Sequence, residues 1–260
     1  MKNTNKFLVL MSLCLALGAC GGEKKQKVPD DIYDRERYVD LGLSVMWADR
    51  NVGAFNPTDY GNYYRWGDIM ERDKYTGYTC AEYNNVIAGH FLYDVVRAEW
   101  GKSWRLPLYT EFEELINKCT WSATIRNDVY GALVTGPNGN SIFLPFGGYK
   151  DGSENPYFLI EEAQKGEKTA RELLVEEDKL YSKERGETGN YLTASPFDKA
   201  YFLKQNPYYK ETNAGRREFE KFEKIAYLFF MMGKATSVGG EIVPEMKGFG
   251  YNARGVLEKN

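Results

Sequence analysis

The stretch GALVTGPNGNSIFLPFGGY, residues 131–149, places two short runs of β-forming residues on either side of a turn. The runs cover residues 132–135 and 141–146, and Pro137, Asn138 and Gly139 lie between them. An Asn-Gly pair between two such runs is a strong hairpin signal, because both residues tolerate the positive φ that tight turns require. The stretch therefore predicts two neighbouring antiparallel strands.

Upstream of this hairpin, the segment LPLYTEFEELINKC, residues 106–119, has the periodicity of an amphipathic helix. Thr110 is the expected N-cap, and Glu113 lies three residues further on, as in a capping box. The apolar stripe of the helix is Phe112, Leu115 and Ile116, and its expected wet face is Glu111, Glu113 and Glu114.

Two earlier segments complete the order of elements. Residues 90–101, HFLYDVVRAEWG, have helical spacing at Leu92, Val95, Val96 and Trp100, and Gly101 is a natural stop. Residues 38–54 alternate apolar and polar side chains around Leu41, Leu43 and Val45, which is typical of a strand. One strand, two helices and then further strands indicate an α+β fold with a mostly antiparallel sheet.

Four ordered blocks, residues 38–54, 59–68, 100–121 and 134–152, resemble successive blocks of the Fibrobacter succinogenes major paralogous domain (FISUMP-like) family of Bacteroidetes lipoproteins and surface proteins. YLTASP, residues 191–196, and GYNARGVLE, residues 250–258, are similar to its later elements, with Arg254 at the family's arginine. The resemblance implies the formylglycine-generating-enzyme-like branch of the C-type lectin fold: α+β, with two helices, a mostly antiparallel sheet and helical insertions. It implies a domain over 38–258, with insertions near 160–187 and 204–224.

The N-terminus has the features of an export signal. Lys2 and Lys6 precede an apolar run over residues 7–19, which is too short to span a bilayer and suits a signal peptide. Leu17-Gly18-Ala19-Cys20 resembles a bacterial lipobox, so residues 1–19 are expected to be removed and Cys20 to be lipidated. An ordinary secretory peptide with a chance cysteine is the alternative. Residues 20–37 have almost no large apolar side chains and are interpreted as a flexible tether.

The stretch DYGNYYRWGD, residues 59–68, is dense in aromatic side chains. Large rings bury much apolar area, so we expect them to be mainly core residues. The same expectation covers the tryptophans Trp47, Trp66, Trp100 and Trp104. The alternative is a ligand platform that includes Tyr63 and Tyr64.

The two expected insertions are rich in charge and helix formers. Either they are solvated covers of sheet edges, or they form a binding face, since binding often occurs on loops of a fixed scaffold. On the second interpretation Tyr191, Tyr208 and Tyr209 lie together, partly exposed, and contact the ligand.

The residue inventory argues against several classes of function. His90 is the single histidine, so no catalytic triad and no zinc cluster is expected, and no cofactor or metal is predicted. No cysteine follows Cys119, whereas the formylglycine enzymes use a late cysteine pair; Cys119 is expected as a buried free thiol, with a bridge to Cys80 left open. Removing Lys2 and Lys6 changes the net charge from −3 to −5, which does not favour nucleic acid as a partner.

Together these observations predict a non-catalytic lipoprotein of the outer membrane, on its periplasmic or cell-surface face. A glycan or protein is the expected ligand. A structural subunit of an envelope or fimbria-like assembly is the alternative, and a divergent enzyme is a third class.

Overall fold

The computed structural model describes residues 37–72, 75, 83–101, 103–151, 183–198, 200, 204, 225–234 and 237–259. Ten strands and two short helices have defined bounds in these residues. They are β1 Tyr38–Val39, β2 Val45–Asn51, α1 Val95–Trp100, β3 Trp104–Arg105, α2 Tyr109–Lys118, β4 Thr120–Arg126, β5 Val129–Thr135, β6 Ser141–Pro145, β7 Thr188–Pro196, β8 Ile225–Lys234, β9 Ser237–Met246 and β10 Arg254–Glu258.

The strands form three sheets, in the orders β1-β2-β10-β3, β4-β5-β6 and β7-β8-β9. Every pairing between the named strands is antiparallel. The prediction of a mostly antiparallel protein with two helices is therefore confirmed at this level. Within the described part of the chain, neither helix is long and apolar enough to cross a membrane.

Strand β2 lies at the centre of the fold and is buried on both faces. Val45 and Trp47 belong to one hydrophobic cluster, and Ala48 and Val52 belong to a second cluster. Because successive side chains of a strand point to opposite faces, both faces of this sheet are covered by other elements. Helix α2 covers one face through Phe112 and Leu115, and helix α1 covers the other through Val95 and Val96.

The strand predicted over residues 38–54 is interrupted, so that prediction is wrong in its extent. Residues 40–44 connect β1 to β2, and Gly42 in this connection has a φ of 76°. The Gly42 N–H donates to Asp40 Oδ1 at 2.8 Å, which closes a local turn. Leu41 and Leu43 are nevertheless buried. The alternating apolar pattern in this segment therefore reflects a turn that packs its leucines into the core, and not a strand.

Both predicted helices are present, with corrected starts. Helix α1 begins after Asp94, whose carboxylate accepts from the backbone of Val96 and Arg97, and Leu92 lies outside the helix and is exposed. It ends at Gly101, as predicted. Helix α2 begins at Tyr109, one residue before the predicted N-cap Thr110, and Glu111, not Glu113, bonds back to the Leu108 N–H at 2.7 Å. Glu111 is buried, so its assignment to the wet face is wrong.

The reason for burying Glu111 is an ion pair. The Arg105 guanidinium donates from Nη1 to Glu111 Oε2 at 2.8 Å and from Nη2 to Glu111 Oε1 at 2.6 Å. Such a bidentate pair fixes orientation as well as charge. It ties β3 to the first turn of α2.

The predicted hairpin is confirmed as β5 and β6, with Gly136 N–H donating to the Asn140 carbonyl across the turn. A third strand, β4, was not predicted. It joins β5 through Asn127 and Asp128, which both have positive φ, 48° and 61°. Two consecutive positive φ values match a type I′ turn, for which Asn and Asp are suitable residues.

The aromatic stretch 59–68 belongs to the core. Tyr63, Tyr64 and Trp66 are buried, and Trp66 Nε1 donates to the Thr193 carbonyl at 2.9 Å. The interpretation of Tyr63 and Tyr64 as an exposed platform is therefore wrong. Trp47 and Trp104 are also buried, as expected, while Trp100 is partly buried.

A fully buried arginine joins two of the sheets. Arg254, the first residue of β10, donates from Nη1 to the Ala48 carbonyl at 3.0 Å and from Nη2 to the Phe143 carbonyl at 2.9 Å. Burial lowers its pKa from the usual value. Ala48 is in β2 and Phe143 is in β6, so these two bonds connect the β1-β2-β10-β3 sheet with the β4-β5-β6 sheet.

Candidate functional site

A cavity of about 320 Å³ is lined by residues of β7, β8 and β9 and of the segments that border these strands. Of the described residues that line it, four are aromatic, two are acidic and one carries an amide. We call it the aromatic cavity, lined by Tyr149, Glu184, Asn190, Phe230, Glu245, Phe249 and Tyr251. Its volume lies at the lower end of the range of about 300–1,000 Å³ typical of small-molecule sites.

Backbone pairing outside the named strands brings these segments together. Tyr149 exchanges hydrogen bonds with Lys183, the residue before Glu184, at 3.1 and 2.8 Å. Asn190 lies opposite Phe230 in the β7–β8 ladder, so both side chains share one face of that sheet. The Asn190 carbonyl also accepts from the Asn252 N–H at 3.0 Å, next to Tyr251. The cavity is therefore built on paired backbone on several sides.

The aromatic rings face in different directions. The Tyr149 and Phe249 centroids are 6.0 Å apart at an interplanar angle of 41°, and the Phe249 and Tyr251 centroids are 6.4 Å apart at 74°. Tyr251 is buried, and its hydroxyl donates to the Met246 carbonyl at 3.0 Å. Its hydroxyl is thus bound by the scaffold, and its contribution to the cavity is an apolar ring surface.

Glu184 is held in place by its own turn. Its φ is 58°, in the left-handed region that is uncommon for a side chain other than glycine. Its carbonyl accepts from the N–H groups of Glu187 and Thr188, and its Oε2 accepts from Thr188 Oγ1 at 3.0 Å. Residues with such strained backbone are more frequent at functional sites, which makes Glu184 a candidate functional residue.

The environment of the cavity changes the titration of several groups. Desolvation raises the pKa of the Glu245 carboxyl, although much of the residue is exposed. Burial, followed by the charge of Glu184 and then of Asp151, raises the pKa of Tyr149. Burial, followed by the charge of Glu245, raises the pKa of Tyr251 well above its usual range. Both phenols therefore experience the negative field of the carboxylates.

Of the residues predicted from sequence to bind a ligand, the structure describes Tyr191, which does not line this cavity. Tyr191 is fully buried in β7, and its hydroxyl donates to the Pro145 carbonyl at 2.9 Å. The expectation that Tyr191 is partly exposed is wrong, because both faces of β7 are covered. Tyr208, Tyr209 and Cys20 lie outside the described residues, as does nearly all of the predicted insertions near 160–187 and 204–224.

His90 and Cys119, the other side chains with reactive groups considered from the sequence, do not line the aromatic cavity. His90 contacts the rings of Tyr83 and Tyr93, at centroid distances of 5.5 and 4.7 Å. Cys119, at the end of α2, is a free thiol that is partly buried, where the sequence predicts a buried one, and burial raises its pKa to about 11. Cys80 lies outside the described residues. Across the described ranges, no group of three His, Cys, Asp or Glu side chains is arranged to hold a metal ion.

Comparison with known proteins adds no relative to these observations. No family model matches the chain, and neither the curated proteins nor the solved structures contain a match. The candidate site is therefore defined by its own geometry.

Proposed function

We propose that this chain is an exported, lipid-anchored and non-catalytic binding module that receives part of a glycan in the aromatic cavity. The observation that carries the proposal is the joint presence of ring surfaces, carboxylates and an amide around one volume of about 320 Å³. Apolar walls with a few polar groups are the general design of small-molecule sites.

A sugar matches this composition better than a purely apolar ligand. The C–H faces of a sugar ring pack against aromatic faces such as those of Phe249 and Tyr149. Its hydroxyls need hydrogen-bond partners, and the carboxylates of Glu184 and Glu245 line the same cavity. Asn190 also lines it; its Nδ2 donates to Thr188 Oγ1 at 3.1 Å, and its amide oxygen is a further acceptor. The rings therefore match the C–H faces of a sugar, and the carboxylates and the amide match its hydroxyls.

Binding without turnover is favoured over glycoside hydrolysis. A glycosidase holds one carboxyl protonated in a water-excluding pocket and a second carboxylate across the scissile bond. Both Glu184 and Glu245 are exposed residues, so solvent reaches the mouth of the cavity from their side. An open mouth suits a site that holds the end of a longer chain.

The same proposal includes the family and the anchor. We infer a C-type-lectin-like domain of the FISUMP-like type, supported by four ordered sequence blocks and by Arg254 at the start of β10. Lipidated Cys20 would hold it on the outer membrane, since two or more acyl chains give stable anchoring. Cys20→Ser should abolish labelling by a palmitate analogue; unchanged labelling would contradict the lipobox assignment.

A glycan array tests the binding function. The full chain is kept in a polyoxyethylene detergent, because a sugar headgroup would compete. Wild type should bind a defined set of glycans, and Phe249→Ala should lose at least most of that signal. Phe55→Ala is the matched control, because Phe55 is 79% exposed and lies outside the cavity. Equal binding by Phe249→Ala and wild type would contradict the proposed site.

A structural subunit of an assembly is the second candidate, and β4 is the observation that favours it. β4 is an outer strand, and five of its seven residues are exposed. In the described chain it pairs with β5 alone, and an unpaired edge can accept another strand. Ser122→Lys places a charge on this edge. Sedimentation velocity should show higher oligomers of wild type that this variant lacks; a monomeric wild type would contradict this candidate.

A further inference from the structure

We propose that the sugar held in the aromatic cavity carries a free amine, so that its ligand is a glycan with a protonated amino sugar. This inference rests on the proposed glycan-binding function and names the ligand class of the same site. It follows from the charge around the cavity and from the arrangement of its rings.

Among the residues that the structure describes, the lining of the cavity includes carboxylates and no basic side chain. Glu184 and Glu245 are its charged lining residues. Two basic side chains adjacent in sequence to the lining have partners of their own: Lys183 lies 2.9 Å from Asp151, and Arg185 lies over the ring of Tyr60 at 4.8 Å. The charge of Lys183 also reaches Tyr149, whose pKa it lowers, but the charges of Glu184 and Asp151 have the larger effect. Lys150 lies over the ring of Tyr63 at 4.7 Å. The described lining of the cavity is therefore acidic.

The phenols of the cavity report the same negative field. The charge of Glu184 contributes to the raised pKa of Tyr149, and the charge of Glu245 contributes to that of Tyr251, in both cases after burial. The negative charge of the carboxylates disfavours an ionised phenol at this place, and by the same interaction it favours a positively charged group. Burial, the larger cause of both pKa shifts, disfavours a charge of either sign, whereas the contribution from the carboxylates favours an ammonium group over a second anion.

The rings add a second attraction for a cation. The faces of aromatic rings carry negative electrostatic potential, so an ammonium group within about 6 Å of a ring centroid is attracted to it. Tyr149, Phe249 and Tyr251 present their rings at angles of 41° and 74° to one another. A cation near Phe249 therefore also lies close to the ring of Tyr149 or of Tyr251.

The volume favours an amino sugar over a lysine side chain as the carrier of that ammonium group. Rings at these angles bound a volume wide enough for a small ring molecule, at about 320 Å³. A single methylene chain would leave much of that space empty, and unfilled contacts cost dispersion energy. Asn190 at the cavity wall gives a ring hydroxyl a polar partner that an alkyl chain does not use.

The test compares matched ligands by isothermal titration with the full chain in a polyoxyethylene detergent. The probes are glucosamine, its neutral N-acetyl form and Nα-acetyl-lysine amide, at about pH 6.5, where these amines are protonated. Glucosamine should bind about fivefold to tenfold tighter than N-acetylglucosamine, as expected for two solvent-screened charge pairs. Raising the salt concentration should reduce that ratio.

Variants assign the preference to the two carboxylates. The double variant Glu184→Gln with Glu245→Gln keeps the side-chain shapes and should bring the two sugars to equal affinity. Glu113→Gln is the matched control, since Glu113 is an exposed residue of helix α2 outside the cavity lining. It should keep the preference of wild type.

Each outcome separates the amine inference from the binding function. Equal affinities for the two sugars in wild type, or tighter binding of N-acetylglucosamine, overturn the amine inference and leave glycan binding intact. A preference for glucosamine that survives in the double variant also overturns it. Binding of the lysine probe alone overturns the glycan function in favour of a protein ligand, and binding of no probe overturns both proposals.

Discussion

Lys150 and Gly250 exchange two backbone hydrogen bonds, of 2.8 and 2.7 Å, and so join the segment after β6 to the segment before β10. Gly250 lies between Phe249 and Tyr251, and Lys150 follows Tyr149. This one bridge therefore sets the mutual position of three rings of the aromatic cavity. A substitution at Gly250 therefore tests the contribution of this bridge.

Gly250→Ala should distort this bridge. An added Cβ would lie 2.7 and 2.8 Å from Tyr75 ring atoms and 3.1 Å from Lys150 Cβ. Overpacking of this kind costs about 1–3 kcal/mol of unfolding free energy, measurable by urea denaturation. Gly239→Ala is the control, because its Cβ would meet nothing within 4 Å, and it should be near neutral. Equal midpoints for the two variants would show that Gly250 is not tightly packed.

Trp47→Ala should remove a central support of the core. The ring of Trp47 is fully buried and packs edge-on against Phe112, with centroids 5.0 Å apart. Loss of a buried tryptophan costs about 3–5 kcal/mol. Phe55→Ala, at an exposed position, should stay within about 0.5 kcal/mol of wild type. A Trp47→Ala midpoint close to that of wild type would contradict the described core.

Asp94→Ala should cost more than the loss of an ordinary helix cap. The Asp94 carboxylate accepts from four backbone N–H groups: those of Val96 and Arg97 in α1, and those of Gly89 and Leu106 outside it. We expect a loss of about 3 kcal/mol, against about 1 kcal/mol for a typical cap, because buried donors would be left unpaired.

Asp59→Ala is the matched control for Asp94. Asp59 also accepts from two backbone N–H groups, of Phe55 and Asn56, but in an exposed turn where water can replace it. Urea denaturation should give it a clearly smaller loss than Asp94→Ala. Similar losses for the two variants would mean that the links of Asp94 to Gly89 and Leu106 contribute little.

Much of the fold follows from local signals in the sequence. The β5–β6 hairpin and the end of α1 at Gly101 depend on turn and cap chemistry within a few residues, and these predictions hold. The predicted start of α2 is wrong because Glu111, and not Glu113, bonds back to the Leu108 N–H. The spacing of the helix residues does not show which glutamate pairs with Arg105, six residues before Glu111. The turn at residues 127–128 had a usable local signal in its Asn-Asp pair.

The site could not be predicted in the same way, because its residues come from separate parts of the chain. Tyr149, Glu184 and Phe249 are brought together by backbone bridges that join distant segments. Tyr191 looked like a surface tyrosine, but β7 is buried along nearly its whole length between other elements. A strand that is covered on both faces lacks the alternation of apolar and polar residues that distinguishes a buried face from an exposed one. The sequence of β7 therefore does not show that Tyr191 is buried.

Glu245→Gln should increase stability near neutral pH while it weakens ligand binding. The pKa of this carboxyl is raised in the folded chain, so between its ordinary value of 4.5 and the raised value the folded state binds more protons than the unfolded state. Stability therefore falls as pH rises through that window, and the ionised form is unfavourable above it. Thermal denaturation at pH 5 and pH 7 should show a smaller difference for Glu245→Gln than for wild type.

Two results would contradict this assignment. One is a lower melting temperature of Glu245→Gln at pH 7. The other is an unchanged pH dependence of the melting temperature. Glu241→Gln, on the same strand, serves as the control for a general effect of removing one negative charge from β9.

The most direct test of the cavity as the ligand site is amide hydrogen exchange of the full chain with and without saturating glucosamine. Bound ligand should slow exchange in peptides that cover residues 183–190 and 245–251, which contribute most of the lining. Peptides of the β4–β5 turn, residues 122–130, should exchange at unchanged rates, because they contribute no lining residue. Protection confined to the β4–β5 turn, or absent from both cavity segments when ligand is bound, would contradict the account.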